Sequence, residues 1–277
     1  MLENTKITFI GAGSMAESMI GGFIQEKLIQ PGQITAINKE NHPHLETLQK
    51  KYDIQTTTNL QEAMTAADIV ILAVKPKHSA EVMEKLREYL TPSQLLVSVL
   101  AGVPTSYLQE LSQSTIPIIR AMPNTSAKVG ASATAISAGE HAVQNDIQIA
   151  RLLFSAIGSV TIVEEEQLNA VTGVSGSGPA YVYYIAEGIQ QAAHAAGLTD
   201  TQSRELIVQT LYGAAKRLKY SDKSARELYQ EVMSPGGTTE AAFKELESYQ
   251  VQQGIEAGVQ QAVQRAIELG QIPSNLK

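Results

Sequence analysis

The sequence contains no cysteine and only five histidines among its 277 residues. A disulfide framework and a thiolate metal site are therefore excluded, and the scattered histidines lack the spacing of metal ligands. We predict a protein that holds no metal and performs no thiol chemistry.

Basic residues are also scarce, because 21 Lys and Arg stand against 28 Asp and Glu, for a net charge of -7 at pH 7. Nucleic-acid binding depends on clustered positive charge, so a small-molecule substrate is the better expectation. Apolar runs such as residues 69–74 are far shorter than the ~20 residues of a membrane helix, and the first residues lack a secretory signal pattern. We therefore expect no membrane partner and a cytoplasmic location.

Short β-branched runs alternate with helical patterns through the first part of the chain. Strands are predicted near residues 6–10, 33–37, 54–56, 69–74, 95–99, 117–120, 132–137 and 160–163. Alternating strands and helices predict an α/β fold with a parallel sheet. Beyond Glu166 the strand signal fades into helical patterns. We predict a Rossmann-type dinucleotide-binding domain over residues 1–163 and an all-helical domain over residues 164–277.

The helices of the second part carry broad apolar stripes, for example along residues 181–193 and 206–215. Such stripes are typical of core packing, but helices that are apolar around much of their girth also suit a dimer interface. Both explanations stay open at this point.

A glycine-rich turn follows the first predicted strand, with the pattern Gly11-x-Gly13-x-x-Ala16. The first glycine permits a tight turn, the second lets the backbone approach a pyrophosphate, and the small third residue allows close packing of the helix on the sheet. The position at the first strand-to-helix turn favours a dinucleotide site over a purely structural loop. The predicted contacts are Gly11, Ala12, Gly13, Ser14 and Met15.

The end of the second strand indicates which dinucleotide binds. An Asp or Glu there would bind the ribose 2′-hydroxyl of NAD, whereas this sequence has Asn38 and Lys39, which suit a 2′-phosphate. The alternative is that both are ordinary surface residues. We predict NADPH as cofactor, with NADH as a second donor.

Further polar residues follow later strands, where ligands of open α/β sheets bind. Lys75 lies in such a loop, and the alternative for it is a solvated charge. Arg120 and Asn124 close another strand; Asn124 is a candidate contact of the nicotinamide, and Arg120 is also suited to a structural ion pair. Lys75 and Asn124 are the predicted cofactor contacts in these loops, and residues 100–102, after the fifth strand, lie at the same end of the sheet.

Two glycine-rich segments open helices in the second part, at residues 176–179 and 234–239. In the latter, the amides of Gly237, Thr238 and Thr239 can be presented to a carboxylate, and the helix dipole adds attraction. The alternative is an ordinary loop in which a threonine caps a helix that begins near Glu240.

These motifs together resemble the pyrroline-5-carboxylate reductase family over roughly residues 6–265. The motifs that carry the resemblance are Gly11-x-Gly13-x-Met15, Ala73-Val74-Lys75-Pro76, Arg120-x-Met122-Pro123-Asn124-Thr125, Gly176-Ser177-Gly178-Pro179-Ala180-Tyr181 and Ser234-Pro235-Gly236-Gly237-Thr238-Thr239. One departure is Tyr229-Gln230-Glu231, where relatives often carry a basic residue and an Asp.

The resemblance implies an oxidoreductase that transfers hydride from NAD(P)H to the C=N bond of 1-pyrroline-5-carboxylate, the last step of proline biosynthesis. It implies a helical domain that intertwines with a second subunit, giving a homodimer and, in larger assemblies, a decamer of five dimers. It adds Ala73, Val74, Pro76, Ala101 and Asn59 to the cofactor contacts, and it implies substrate contacts at Glu165, Ser234, Gly237, Thr238 and Thr239. We expect the Thr239 hydroxyl to bind the ring nitrogen as the catalytic contact.

Two rival functions use the same domain plan. The β-hydroxyacid dehydrogenases place a Lys acid-base residue on the helix after a glycine-rich segment, but residues 179–184 contain none. Alcohol oxidation needs a proton acceptor, whereas an iminium arrives already protonated, so the sequence favours C=N reduction. The other rival is a non-enzymatic NADP sensor or scaffold, since a fold alone does not fix function.

Overall fold

The computed structural model describes residues 2–39 and 41–270. Its centre is an eight-stranded sheet in the order β3-β2-β1-β4-β5-β6-β7-β8. The strands are β1 (Ile7–Ile10), β2 (Ile34–Ile37), β3 (Gln55–Thr57), β4 (Ile69–Leu72), β5 (Leu95–Ser98), β6 (Ile118–Met122), β7 (Ser132–Ala138) and β8 (Gly158–Ile162).

Helices connect these strands and make up the second part of the described chain. They are α1 (Ser14–Gln25), α2 (His42–Tyr52), α3 (Leu60–Met64), α4 (Ser79–Leu86), α5 (Thr105–Ser112), α6 (Gln144–Ser155), α7 (Leu168–Val171), α8 (Gly178–Ala195), α9 (Asp200–Tyr220), α10 (Ala225–Val232), α11 (Thr238–Ser248) and α12 (Val251–Gly270).

The central strands form because both of their faces are covered. Every residue of β1, β4 and β5 is buried, as expected for parallel strands with helices on both sides. Side chains alternate between two cores: Phe9 and Ile71 lie in one, while Ile10 and Leu72 lie in the other. In the first core α1 packs on the sheet, with the Phe23 and Phe9 ring centroids 6.1 Å apart.

The sheet is parallel, as predicted, except at one pair of strands. β7 runs antiparallel to β6, with Met122 opposite Ala135. Parallel neighbours need a crossover connection, usually a helix of a dozen or more residues. The segment between these two strands holds only a 3-10 turn at Thr125–Val129, so the chain reverses direction. β8 is again parallel to β7, because α6 provides a crossover.

Helix α5 has little helical signal in the sequence. It is only eight residues long, and its buried positions are Thr105, Leu108 and Ser112. Three buried residues in two turns give a weak periodic signal, whereas the extended Pro104 at its N-cap was a usable sign of a helix start.

The chain forms two compact units, one of residues up to 179 together with those from 261 onward, and the other of residues 180–260. The domain boundary after residue 163 was drawn from the change in sequence pattern, and it stays a prediction.

The helices of the second part expose most of their apolar side chains. α8 has no buried residue, and Ser203 is the buried residue of α9. Packing among the described residues therefore does not bury the apolar stripes, and their exposure favours a subunit interface as the explanation. The exposed side chains are Val182, Tyr183, Tyr184, Ile185, Ile189, Leu206, Val208 and Tyr212.

Of the helices that the structure describes, none combines the length and the apolar character needed to span a bilayer.

Candidate active site

The sheet has its topological switch point between β1 and β4. From β1 the chain proceeds outward through β2 and β3, and it then returns to β4 and continues through β5 and β6 in the other direction. Ligands of open α/β sheets bind beyond the carboxyl ends of the strands at such a point. The predicted cofactor contacts all follow the carboxyl ends of these six parallel strands, so the structure brings them to one edge of the sheet.

Gly11 is the residue at which β1 turns toward α1. Its φ is +100°, and its amide donates to the Ile37 carbonyl oxygen at 3.0 Å. A Cβ built on Gly11 would lie 2.6 Å from the Ala73 carbonyl oxygen, so the loops after β1 and β4 touch backbone to backbone. Only glycine suits this position, because other residues combine strain at positive φ with a backbone clash.

Gly13 is the N-cap of α1, and no side chain caps the helix there. A Cβ on Gly13 would meet nothing within 4 Å. The side-chain position at the start of this 12-residue helix is thus open, and an uncapped helix N-terminus is the arrangement that binds a pyrophosphate in dinucleotide sites. Ala16 is fully buried, as the close packing of this helix on the sheet requires.

An acidic residue in the first turn of α1 is neutralised by its neighbour. The Glu17 carboxylate lies 2.9 Å from Lys51 Nζ. The hydrogen bond from Lys51 is the main cause that lowers the pKa of Glu17. The pair faces α2, so the attraction of the helix N-terminus for a bound anion is retained.

Asn38 follows β2 where an NAD-selective protein would carry Asp or Glu. Its side-chain oxygen accepts from the Asn41 amide at 3.1 Å. The exposed Lys39 ammonium lies 3.4 Å from the Glu81 carboxylate. The binding of a 2′-phosphate at Asn38 and Lys39 stays a prediction.

The remaining strand-end candidates lie in the loops after β3, β4 and β5. The Asn59 side-chain oxygen caps α3, accepting from the Gln61 amide at 3.0 Å and from the Glu62 amide. Lys75 is exposed and precedes a 3-10 turn that begins with Pro76. Ala101 is half-buried. Their contacts with the cofactor stay predictions.

The Asn124 side chain is buried and makes two hydrogen bonds to the backbone. It is 7% exposed, its oxygen accepts from the Ser126 amide, and its nitrogen donates to the Ser175 carbonyl oxygen at 2.9 Å. Ser175 lies in a π-helical turn, Thr172–Gly176, and the residue four positions on is Pro179, which has no amide to donate to the Ser175 carbonyl oxygen. Asn124 therefore ties the end of β6 to the glycine-rich segment that precedes α8, and its contact with a nicotinamide stays a prediction.

Glu165, a predicted substrate contact, is bound by residues of β6 and α5. Its carboxylate accepts from Arg120 Nη1 at 3.1 Å, from the Thr105 amide at 2.8 Å and from the Thr105 hydroxyl. The Arg120 side chain is 7% exposed, so the ion-pair alternative for Arg120 is the one that the structure supports. Sequence reasoning did not identify Thr105, although its place at the start of α5 makes its amide a natural donor to an anion.

The loop Ser234–Thr239 opens a helix, as predicted, but it differs from the prediction in one respect. Helix α11 begins at Thr238 with Gly237 as its N-cap and no side chain caps it, so the alternative of a threonine cap on a helix that begins near Glu240 is wrong. The Gly237 amide donates to the Ser234 carbonyl oxygen at 2.9 Å, so the expectation that it is presented to a carboxylate was wrong. Within the described residues the Thr238 and Thr239 amides have no acceptor, and they keep the geometry of an anion site.

A Rossmann sheet with an open glycine turn at its switch point, followed by a helical domain, defines the class of nicotinamide-dependent oxidoreductases. Residues 6–102 match the family described as NADP oxidoreductase coenzyme F420-dependent, and residues 165–269 match pyrroline-5-carboxylate reductase dimerisation. The chain belongs to the pyrroline-5-carboxylate reductase family. It is an NAD(P)H-dependent oxidoreductase that reduces the C=N bond of 1-pyrroline-5-carboxylate to give L-proline, and its dimerisation domain makes it a homo-oligomer.

Individual relatives agree along nearly the whole chain. Pyrroline-5-carboxylate reductase 2 of Bacillus subtilis is 40% identical over 264 residues, which is 95% of either chain. The structure of the reductase from Coxiella burnetii has a TM-score of 0.88 at 36% identity and covers 98% of this chain and 100% of its own. The NADP-bound reductase of Plasmodium falciparum has a TM-score of 0.89 at 26% identity, with 97% and 99% covered. These matches confirm the resemblance seen in the motifs.

Proposed function

We propose that this chain uses NADPH as hydride donor and binds it along the carboxyl edge of β1, β2, β4 and β5. The observation that carries the proposal is the turn from Gly11 to Gly13, where a close backbone contact is followed by open space at the uncapped N-terminus of α1. The amides of residues 13–15 would hold the pyrophosphate. Asn38 and Lys39 would hold the 2′-phosphate, and the loops at Ala73–Pro76 and Ala101 would contact the rest of the cofactor.

For the substrate, we place the carboxylate of the imine acid at the first turn of α11. The amides of Thr238 and Thr239 would donate to it, together with the Thr238 hydroxyl, and the helix dipole favours its negative charge. Ser234 and Gly237 shape the turn: a Cβ on Gly237 would lie 2.4 Å from the Ser234 hydroxyl oxygen. Gly236, with a φ of +72°, lets the chain turn into the helix.

The Thr239 hydroxyl would hydrogen-bond the ring nitrogen and so fix the face of the imine that receives the hydride. NADPH, when bound, supplies that hydride and the difficult chemistry of the reaction. Because the substrate nitrogen is protonated before reaction, the chain needs no side chain of its own as proton donor. Its contribution is orientation, which can supply several orders of magnitude in rate.

We infer that the assembly is built from homodimers, and that a decamer of five dimers is its larger form. The exposed apolar side chains of α8 and α9 support the dimer, because side chains such as Tyr184, 79% exposed in one chain, are suited to burial against a second subunit. In such a dimer, each active site would combine residues of two chains. We also propose a cytoplasmic location, in keeping with a biosynthetic role.

The first test is an assay of the purified protein with 1-pyrroline-5-carboxylate. We expect NADPH oxidation, followed by absorbance, together with stoichiometric formation of proline, and slower oxidation with NADH. Failure of both cofactors to be oxidised would contradict the reaction. Faster turnover with NADH than with NADPH would contradict the assignment of Asn38 and Lys39.

Substituting Thr239 tests the substrate contact. We expect Thr239→Val, which keeps the shape but removes the hydroxyl, to lower kcat by on the order of 10²-fold while the Kd for NADPH stays within about twofold. Thr239→Ser keeps the hydroxyl and should retain most of the activity. Equal kcat values for the valine variant and the unmodified chain would remove Thr239 from the mechanism.

A further inference from the structure

Three charged side chains form a cluster beside the end of β2. Glu81, in the first turn of α4, places one carboxylate oxygen 3.4 Å from Lys39 Nζ and 2.6 Å from Lys85 Nζ. Because α4 follows β4, Glu81 belongs to the same edge of the sheet as the proposed cofactor site. A negative charge therefore lies next to the lysine that we assign to the 2′-phosphate.

The cluster is able to rearrange, because all three side chains are at least half exposed: 74% for Lys39, 50% for Glu81 and 53% for Lys85. Exposed ion pairs are weak and are screened by salt. Glu81 is nevertheless ionised at neutral pH, since hydrogen bonds from Lys85 first, and from Lys39 second, lower its pKa. A bound phosphate group would thus compete with a full carboxylate charge for Lys39.

We propose that Glu81 is a specificity-determining residue that limits the preference of the enzyme for NADPH over NADH. This inference rests on the proposed placement of the 2′-phosphate at Asn38 and Lys39. Glu81 holds the Lys39 ammonium and repels the phosphate, and both effects weaken binding of a cofactor that carries the phosphate. NADH carries a neutral hydroxyl at that position, so Glu81 has little effect on it.

The test compares two substitutions that change net charge equally. Glu81→Gln removes the carboxylate that contacts Lys39, and Glu84→Gln removes an exposed carboxylate elsewhere on α4. Calorimetric titration with NADP⁺ and NAD⁺ at low ionic strength gives the ratio of the two Kd values. We expect Glu81→Gln to shift that ratio toward NADP⁺ by about fivefold, the size of one screened charge, and 1 M salt to reduce the shift. Glu84→Gln should shift it by less than about half as much.

Two results would overturn the inference: an unchanged ratio in Glu81→Gln, or an equal shift in Glu84→Gln. The titrations need no turnover, so they separate this inference from the proposed reaction. If NADP⁺ binds and the ratio stays unchanged, Glu81 has no part in specificity while the enzyme assignment stands. If NADPH is not oxidised when 1-pyrroline-5-carboxylate is added, but the ratio of the two Kd values still shifts, then the assigned reaction is contradicted and the role of Glu81 stands.

Discussion

Gly11→Ala should destabilise the protein by about 3 kcal/mol or more, whereas Gly13→Ala, two residues along the same turn, should change stability by less than about 1 kcal/mol. The difference follows from the backbone. Gly11 has a φ of +100° and a virtual Cβ 2.6 Å from the Ala73 carbonyl oxygen and 2.8 Å from its carbon. Those atoms belong to the β4 loop and cannot rotate away, so the methyl group has to push two loops apart.

Gly13 has the opposite surroundings. Its φ of -77° suits any residue, and its virtual Cβ has no neighbour within 4 Å. A methyl group there projects from the N-terminus of α1 into the space that the pyrophosphate would use. We therefore expect Gly13→Ala to keep its fold but to weaken NADPH binding by on the order of tenfold or more, since the loss of even one or two backbone contacts has that effect.

Urea unfolding and calorimetric titration of the two variants provide the measurement. A Gly13→Ala variant that binds NADPH normally would show that the cofactor does not lie against the α1 turn. A Gly11→Ala variant of normal stability would mean that the contact with Ala73 relaxes easily, and the account of the β1 turn would then be wrong.

The strand-end loops were predictable from the sequence because local chemistry fixes them. The Gly11 turn depends on a backbone conformation that only glycine adopts readily, and the strands that surround it are short runs rich in apolar and β-branched residues. Strand direction is different. The pattern at residues 132–137 predicts a strand equally well in either orientation, and only the short connection from Met122 decides that β7 reverses.

The substrate loop shows a second limit of sequence reasoning. Residues 234–239 predicted a helix N-terminus with free amides, and the helix is present. Which amides remain available depends on one hydrogen bond, from Gly237 to the Ser234 carbonyl oxygen, that closes the turn. The apolar stripes of α8 and α9 show a third limit, because a core face and a subunit interface have the same periodicity in sequence. Exposure of side chains such as Tyr183, at 66%, distinguishes the two.

Glu165→Ala should cost about 3 kcal/mol of stability, the largest effect that we expect from a side chain outside the sheet core. The substitution leaves the Arg120 guanidinium, 7% exposed, without its carboxylate, and it leaves the Thr105 amide and hydroxyl without an acceptor. Breaking a buried pair by removing one partner is costly because the remaining charge is still desolvated. Glu165→Gln keeps an acceptor for Thr105 and should lose less.

A double-mutant cycle separates this cost from any contact with substrate. Arg120→Met in the Glu165→Ala background removes the orphaned charge, so the double variant should be more stable than Glu165→Ala alone. If Glu165 acts only through the fold, the double variant should regain activity together with stability. If its carboxylate also contacts the imine acid, stability returns while KM for 1-pyrroline-5-carboxylate stays raised.

Chemical unfolding and steady-state kinetics decide between these roles when they are measured on the unmodified chain, Glu165→Ala, Arg120→Met and the double variant. A double variant no more stable than Glu165→Ala would show that the unpaired Arg120 guanidinium does not lower the stability of the fold. Three of the roughly four lone-pair positions of the carboxylate are already used by Arg120 and Thr105, so at most one is left for a ligand, and we expect the structural role to account for most of the loss.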